Sequence, residues 1–274
     1  MKTTEIFNYN LICDLDYHEI SDLIIKDIQD GDSIITNVFT PNAHGIISYD
    51  KYPSINKFCQ QSKYILPDGQ PLVWLSRFTP NKIKQRITGS DLFPVLFQKI
   101  NNTNYKILFI LSNDLLISRF NEISANSIYH IPPFLTMEDT HGLKVEAKSI
   151  CKLILKNEVN FIFMGISEPK QGALSQLITN ELQKKSYRKN CIFLFLGASY
   201  EFYFNIKKRA PKIYQKIGLE WFYRLLKEPK RLLKRYTVTN FKFIIKSAVW
   251  IIAQIFNNQK TNSENIKDEK GTQK

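Results

Sequence analysis

Asp68 stands in "YILPDGQP" (residues 64–71), directly after a short apolar run. Pro-Asp-Gly is turn chemistry, and a carboxylate held in a cleft at such a turn can act as a general base toward a substrate hydroxyl. Asp68 gains weight from its company. "TPNAHG" (40–45) also follows an apolar run and offers Thr40 and Asn42, whose side chains can hydrogen-bond a ligand's hydroxyls or phosphates. "RITGSDLF" (86–93) sets Arg86 before a Thr-Gly-Ser segment, with Gly89 leading into an apolar helix. Helix N-termini bind anions, so Arg86 beside one could hold a diphosphate. In "MGISEPKQGA" (164–173) Gly165 ends an apolar run, and Ser167, Pro169, Lys170 and Gln171 open a helix. "FLGASYEFYF" (195–204) repeats the theme with Gly197 and carries Glu201. Each string alone reads as an ordinary turn or helix cap. None is GxGxxG or a P-loop, so neither a dinucleotide site nor an ATPase follows.

The chain also carries a dense basic segment, "GLEWFYRLLKEPKRLLKRY" (218–236). At 100° per residue, Phe222, Leu225, Leu226, Leu233 and Tyr236 fall on one side of a helix. Arg224, Lys227, Arg231, Lys234 and Arg235 fall on the other, which predicts an amphipathic basic helix. Pro229 begins a second helix or kinks the first. The formal net charge is +13, and residues 207–246 hold thirteen Lys or Arg against two acids, Glu220 and Glu228. The excess is therefore a property of one region. The absence of partner acids argues against a merely solvated face. Nucleic acid is a poor fit: no aromatic RNA-binding motif is present, and the aromatic face opposes the basic one instead of interleaving with it.

The elements that would position these residues follow from hydrophobic pattern. "DSIITNVF" (32–39), "YKILFIL" (105–111), "NFIFMGI" (160–166) and "CIFLFLG" (191–197) are continuously apolar, as strands buried on both faces are. Between them lie helical patterns. "DYHEISDLIIKDIQDG" begins on Asp16 as N-cap with Glu19 three residues on, and stops at Gly31. Strands alternating with helices predict an α/β doubly wound sheet, in which ligands bind beyond the C-terminal ends of the strands. "TPNAHG", "MGISEPKQGA" and "FLGASYEFYF" stand at the ends of three of these runs.

Apolar residues make up 43% of the 274, enough for a sizeable core. Cys13, Cys59, Cys151 and Cys191 are far apart and form no CxxC, so reduced thiols are expected and a zinc site is not. The two D-x-D triplets, Asp14/Asp16 and Asp30/Asp32, read as a cap and a turn; the four histidines share no ligand spacing. No metal or organic cofactor is called for. The N-terminus lacks a signal-peptide layout, and no run reaches the roughly 18 to 20 apolar residues of a spanning helix. "FIIKSAVWIIAQIF" (243–256) comes nearest and suits an interfacial anchor. The expected organisation is a core over 1–206, a basic appendage over 207–256, and a disordered polar tail over 257–274.

The ordered set "TPNAHG", "LPDGQP", "RITGSDLF", "GISEPKQ", "RAP" and "GLEWFYRLLKEPKRLLKRY" resembles the WecG/TagA/CpsF family of bacterial glycosyltransferases over roughly residues 33–240. The resemblance implies a Rossmann-like, mostly parallel sheet with a basic helical C-terminal appendage that helps complete the active site. It implies transfer from a UDP-sugar to an undecaprenyl-diphosphate-linked sugar at the cytoplasmic face of the plasma membrane, in teichoic-acid, capsule or related polysaccharide synthesis. Asp68 matches the family's candidate base, Thr40 and Asn42 a first polar pocket, and Gln171 a nucleotide-proximal position. Arg86, Gly89, Gly165, Lys170, Glu201, Arg209 and Glu220 fall in matching motifs expected near substrate. Arg224, Arg231 and Arg235 match appendage cations expected to meet diphosphate, without a metal. An anionic membrane surface is the implied partner, and a homo-oligomer is compatible with it. The chain departs from the family pattern at Gly172, where Glu is common, at Glu201 and Asn205 in place of Asp and Gly, and at Ser112-Asn113 in place of Gly-Gly. A non-catalytic relative assisting a partner transferase is the alternative that Gly172 and Glu201 motivate.

Overall fold

The computed structural model describes residues 1–31, 35–124, 127–216 and 218–271; for Lys216, Arg224, Arg231 and residues 234–236 and 257–271 only the backbone is described. The chain opens with an antiparallel hairpin, β1 (Thr3–Ile6) and β2 (Tyr9–Ile12). Its two turn residues, Phe7 and Asn8, have φ of 55° and 65°. This is the twist a two-residue hairpin favours, but Phe is an uncommon residue for it. The Phe7 ring is buried against Phe243 and Trp250 near the C-terminus, at 5.7 Å from each centroid, which offsets the strain.

Helix α1 (Tyr17–Asp30) carries the expected capping box: Asp16 accepts from the His18 and Glu19 amides while Glu19 accepts from the Asp16 amide. There follow β3 (Ile35–Phe39), α2 (Ala43–Tyr49), α3 (Pro53–Gln60), β4 (Tyr64–Ile65), α4 (Gln70–Leu75) with a 3-10 turn at Ser76–Phe78, and α5 (Gly89–Ile100). The second half runs β5 (Ile107–Ile110), α6 (Asp114–Asn121), β6 (Ile128–His130), α7 (Thr140–Asn157), β7 (Phe161–Met164), α8 (Lys170–Lys184), β8 (Cys191–Phe195) and α9 (Ser199–Tyr203). The last elements are α10 (Lys212–Lys216), α11 (Glu220–Lys227) and α12 (Pro229–Gly271).

Six strands form one sheet in the order β4-β3-β8-β7-β5-β6, and every pairing is parallel. The four apolar runs became its central strands because both faces are covered. Alternate residues enter opposite cores. Ile110, Met164 and Phe195 face α2, α7 and α8, while Phe109, Phe163 and Leu194 face α1, α5 and α6. On the second face Phe109 stacks on Phe163 at 4.9 Å, and Phe93 meets Tyr200 edge-on at 4.9 Å. Such aromatic packing holds the strand ends in fixed relation.

Pro229 does begin a second helix: α11 ends at Lys227 and α12 starts at Pro229. The break changes the register, so the buried apolar residue is Leu232, whereas Leu226 and Leu233 are more than half exposed. The expectation that no run is long enough to span a membrane is corrected too. Thr237–Phe256 within α12 is long and apolar enough to cross one by length and composition, with mean hydropathy 1.3 over 20 residues. One face of it docks on the fold, through buried Phe243, partly buried Trp250, and Lys246, whose ammonium lies 2.6 Å from Asp50.

Candidate active site

Residues that follow all six sheet strands line one cleft of about 780 Å³. Thr40 and Asn42 come from the end of β3, Asp68 from β4, and Ser112 from β5. Pro132 and Phe134 come from the loop after β6, Gly165 to Gln171 from β7, and Phe195 to Glu201 from β8. Tyr223, Lys227, Glu228 and Leu232 close it from the appendage, and Lys207 and Lys208 stand at the joint. The volume lies within the range of small-molecule sites, and the position is the one expected of a parallel α/β sheet.

The local structure explains each placement. The Thr40 hydroxyl donates to the Phe195 carbonyl at 2.8 Å, tying the end of β3 to β8. Asn42 caps α2 by accepting from the Gly45 amide at 3.0 Å. The Asp68 amide donates to the Pro41 carbonyl at 3.1 Å, and the Ile87 amide to the Pro67 carbonyl at 3.0 Å. These bonds stitch the Pro-Asp-Gly turn between the two neighbouring polar strings, so Asp68 is positioned by backbone on both sides. Gly165 is glycine because a Cβ there would lie 2.6 Å from the Tyr200 ring and 2.9 Å from the Ile110 carbonyl oxygen.

Beside the cleft lies an ion network that joins core to appendage. Arg209 donates to both oxygens of Asp91, at 2.6 and 3.1 Å, and to the Thr88 hydroxyl at 3.2 Å. Arg86 donates to Glu220, the first residue of α11, at 3.2 Å, and both side chains are mostly buried. The other Glu220 oxygen lies 4.0 Å from Arg209 Nε. Burial pushes the Asp91 carboxyl up, but the Arg209 hydrogen bond and charge, helped by Thr88 and Arg86, outweigh it and hold the group below its ordinary range. Burial works against the Arg209 charge, and Asp91, Glu220 and Asp68 together raise its pKa regardless. The base candidate thus sits within Coulomb reach of this network.

Of the residues singled out in the sequence, Thr40, Asn42, Asp68, Gly165, Lys170, Gln171 and Glu201 share the cleft. Arg86, Gly89, Arg209 and Glu220 are not in its lining; three of them form the adjoining network, and Gly89 packs at the start of α5 close to Ser199 and Leu196. Lys170 donates to the Leu135 carbonyl at 3.1 Å and lies over the Phe134 ring, so it anchors the loop after β6. Glu201 is paired with Lys207 at 2.6 Å. The side chains of Arg224, Arg231 and Arg235, and Asp32 of the second D-x-D triplet, lie outside the described residues. Asp14 accepts from the Lys2 amide and Asp16 caps α1. Among the described residues no cluster of three or more His, Cys, Asp or Glu could hold a metal. Gly172 has a packing reason: a Cβ there would lie 2.8 Å from Tyr49. Sequence reasoning did not assign Glu168, Ser199, Lys208 or Glu228 to the site; Glu168, Ser199 and Glu228 stand inside strings quoted for other residues, which was the available signal.

A parallel α/β sheet with a polar cleft across all its strand ends defines an enzyme-like ligand-binding fold of the Rossmann-like class. The Glycosyl transferase WecG/TagA/CpsF family profile matches residues 4–259, and the chain belongs to that family. Among curated proteins it is similar to N-acetylglucosaminyldiphosphoundecaprenol N-acetyl-beta-D-mannosaminyltransferase of Staphylococcus aureus strain MW2, with 28% identity over 191 residues, 69% of this chain and 70% of the relative. The protein of the same description from strain MRSA252 is 27% identical over 189 residues, with 69% and 70% covered.

Proposed function

We propose that this chain transfers a hexose or N-acetylhexosamine from a UDP-sugar to an undecaprenyl-diphosphate-linked sugar in cell-surface polysaccharide synthesis, with inversion at the anomeric carbon. The observation that carries this reading is the position of Asp68, whose carboxylate-bearing turn borders the cleft of a glycosyltransferase-family fold. The relatives' names supply the acceptor class, N-acetylglucosaminyldiphosphoundecaprenol, and a donor sugar, N-acetylmannosamine. In the reaction an acceptor hydroxyl attacks the anomeric carbon as UDP departs, and Asp68 takes the hydroxyl proton. General-base help of this kind is worth about 10²–10⁴-fold. Charge grows on the departing diphosphate, and cations aimed at it lower the barrier. Lys207, Lys208 and Lys227 border the cleft. The family resemblance adds Arg224, Arg231 and Arg235, whose planar forks match phosphate oxygens.

In this reading the lipid acceptor is met at the inner face of the plasma membrane. Val238, Phe241, Ile245, Val249, Ile252 and Phe256 are exposed on α12 at helical spacing, a stripe suited to the interface. The opposite face is held on the fold by Phe243, Lys246 and Trp250. Crossing the bilayer would require undocking that face and burying Lys242 and Lys246, which favours a helix lying along the surface.

The test is transfer of radiolabelled sugar to a short-chain lipid-diphosphate N-acetylglucosamine, offered UDP-ManNAc, UDP-GlcNAc, UDP-Glc and UDP-Gal in turn. Transfer from one of them is the expected result. UDP binding without transfer from any donor would favour the non-catalytic alternative.

A further inference from the structure

The loop after β7 brings a carboxylate into the cleft that none of the roles above uses. Glu168 lines the cleft two residues before α8, where the helix dipole favours a negative charge. Gln171 Nε2 donates to Glu168 Oε1 at 3.3 Å. The reverse amide orientation would set two acceptor oxygens together, so Gln171 Oε1 is turned away from the carboxylate. That oxygen is buried and has no donor among the described residues, although Gln171 itself borders the cleft.

The carboxylate also owes its place to Gly45. A Cβ on Gly45 would run into the Glu168 carboxylate group. The Gly45 amide donates to Asn42 Oδ1, and Asn42 in turn packs against Gly69, the neighbour of Asp68. Glu168 and Asp68 are therefore joined by one contiguous row along the cleft. Behind Glu168 stand Tyr9, Tyr49 and Cys59, whose pKa values are raised first by burial and then by nearby groups that include Glu168. They stay protonated and neutral, so they bring no second negative charge behind the carboxylate.

We propose that Glu168 is a specificity-determining residue for the sugar: its carboxylate accepts hydrogen bonds from hydroxyls of a neutral hexose or N-acetylhexosamine held beside Asp68, Gln171 Oε1 accepts another, and the charge turns away sugars that carry a carboxylate, such as hexuronic acids. This rests on the sugar-transfer reading above. Two acceptor oxygens match neighbouring hydroxyls, and a like charge in the same pocket is repelled. Donor and acceptor both carry such a sugar, and the test separates them.

Calorimetry on the full chain reads binding independently of turnover. The ligands are UDP, a UDP-N-acetylhexosamine, and a short-chain lipid-diphosphate N-acetylglucosamine, the last two also with a hexuronic acid in place of the sugar. The variants are Glu168→Gln, Glu168→Asp and Gly45→Ala, the last of which displaces the carboxylate and leaves it intact. UDP affinity is expected to stay within about twofold throughout, since UDP has no sugar to read. Affinity for one of the two neutral ligands should fall about 10- to 100-fold. Loss on the UDP-sugar assigns Glu168 to the donor, and loss on the lipid-linked sugar assigns it to the acceptor. In Glu168→Gln the preference for that neutral ligand over its hexuronic counterpart should narrow at least about tenfold. Unchanged sugar affinities in a folded Glu168→Gln, or equal loss of UDP and sugar ligands, would overturn the proposal. Should Glu168→Gln fail to fold, unchanged sugar affinities in Glu168→Asp and Gly45→Ala overturn it equally. A wild-type chain that binds neither UDP nor UDP-sugar removes the transfer reading, and this one with it; a wild type that binds both, with indifferent variants, removes only Glu168.

Discussion

Asp68 and Asp91 are two carboxylates of one neighbourhood with different work. Asp68 lines the cleft on a turn pinned by two backbone bonds, and Asp91 lies against Arg209 at the start of α5. Asp68→Asn keeps the shape and removes the base, so kcat should fall about 10²- to 10⁴-fold while UDP still binds. Near-wild-type turnover in a steady-state assay would take Asp68 out of that role. For Asp91, the folded-state pKa is depressed by Arg209. A depressed carboxylate pKa stabilises the fold at every pH above the unfolded value, about 4 for Asp, and the contribution fades as pH falls through the lower folded value. Melting temperatures of wild type and Asp91→Asn should therefore differ at pH 7 and converge toward pH 2; a gap that stays constant down to pH 2 would assign the difference to packing. Asp68, Thr40, Asn42 and Gln171 were legible in the sequence because each follows a continuous apolar run. The pairing of Arg86 with Glu220 was not, since they are 134 residues apart and chain pattern carries no sign of who pairs with whom.

At the scale of elements, β3, β5, β7 and β8 were readable because a strand buried on both faces must be apolar throughout. The two-residue β4, the three-residue β6 and the N-terminal hairpin are too short to show a period. The appendage was half readable. Its basic bias and the break at Pro229 were plain, but one helical wheel drawn through the break put Leu226 and Leu233 on the packed side, where the fold buries Leu232. What seats α11 is therefore less its apolar stripe than its first residue, Glu220, paired with Arg86 and lying near Arg209. Removing one partner of a largely buried pair leaves the other charge without compensation, a loss of about 1–3 kcal/mol. In Glu220→Ala, amide exchange over residues 218–227 should quicken roughly tenfold or more while the sheet strands keep wild-type protection. Equal exchange in both proteins would mean that α11 is held by other contacts.

The whole molecule poses one question that no single element answers, which is whether the basic region serves the membrane, the chemistry or both. Two features bear on it: α12 offers an exposed apolar stripe along the docked helix, and Tyr223, Lys227, Glu228 and Leu232 form a wall of the cleft. If residues 207–246 hold the chain on anionic lipid, cosedimentation with anionic vesicles should weaken as salt rises, because each surface Lys or Arg contributes about 1 kcal/mol there and salt screens it. Equally strong, salt-insensitive binding to neutral vesicles would leave only the apolar stripe as anchor. The catalytic share is read separately. Arg231 directly precedes Leu232, which lines the cleft, so Arg231→Ala is expected to lower kcat on a water-soluble short-lipid acceptor, where membrane binding plays no part. Arg231→Lys should rescue only partly, since an ammonium cannot make the two-pronged phosphate contact. If Arg231 meets headgroups alone, turnover on the soluble acceptor stays at the wild-type level and only the vesicle-borne acceptor suffers. Assaying one Arg231→Ala preparation on both acceptors separates these cases, because a residue serving leaving-group charge must lower both rates and a residue serving attachment can lower only one.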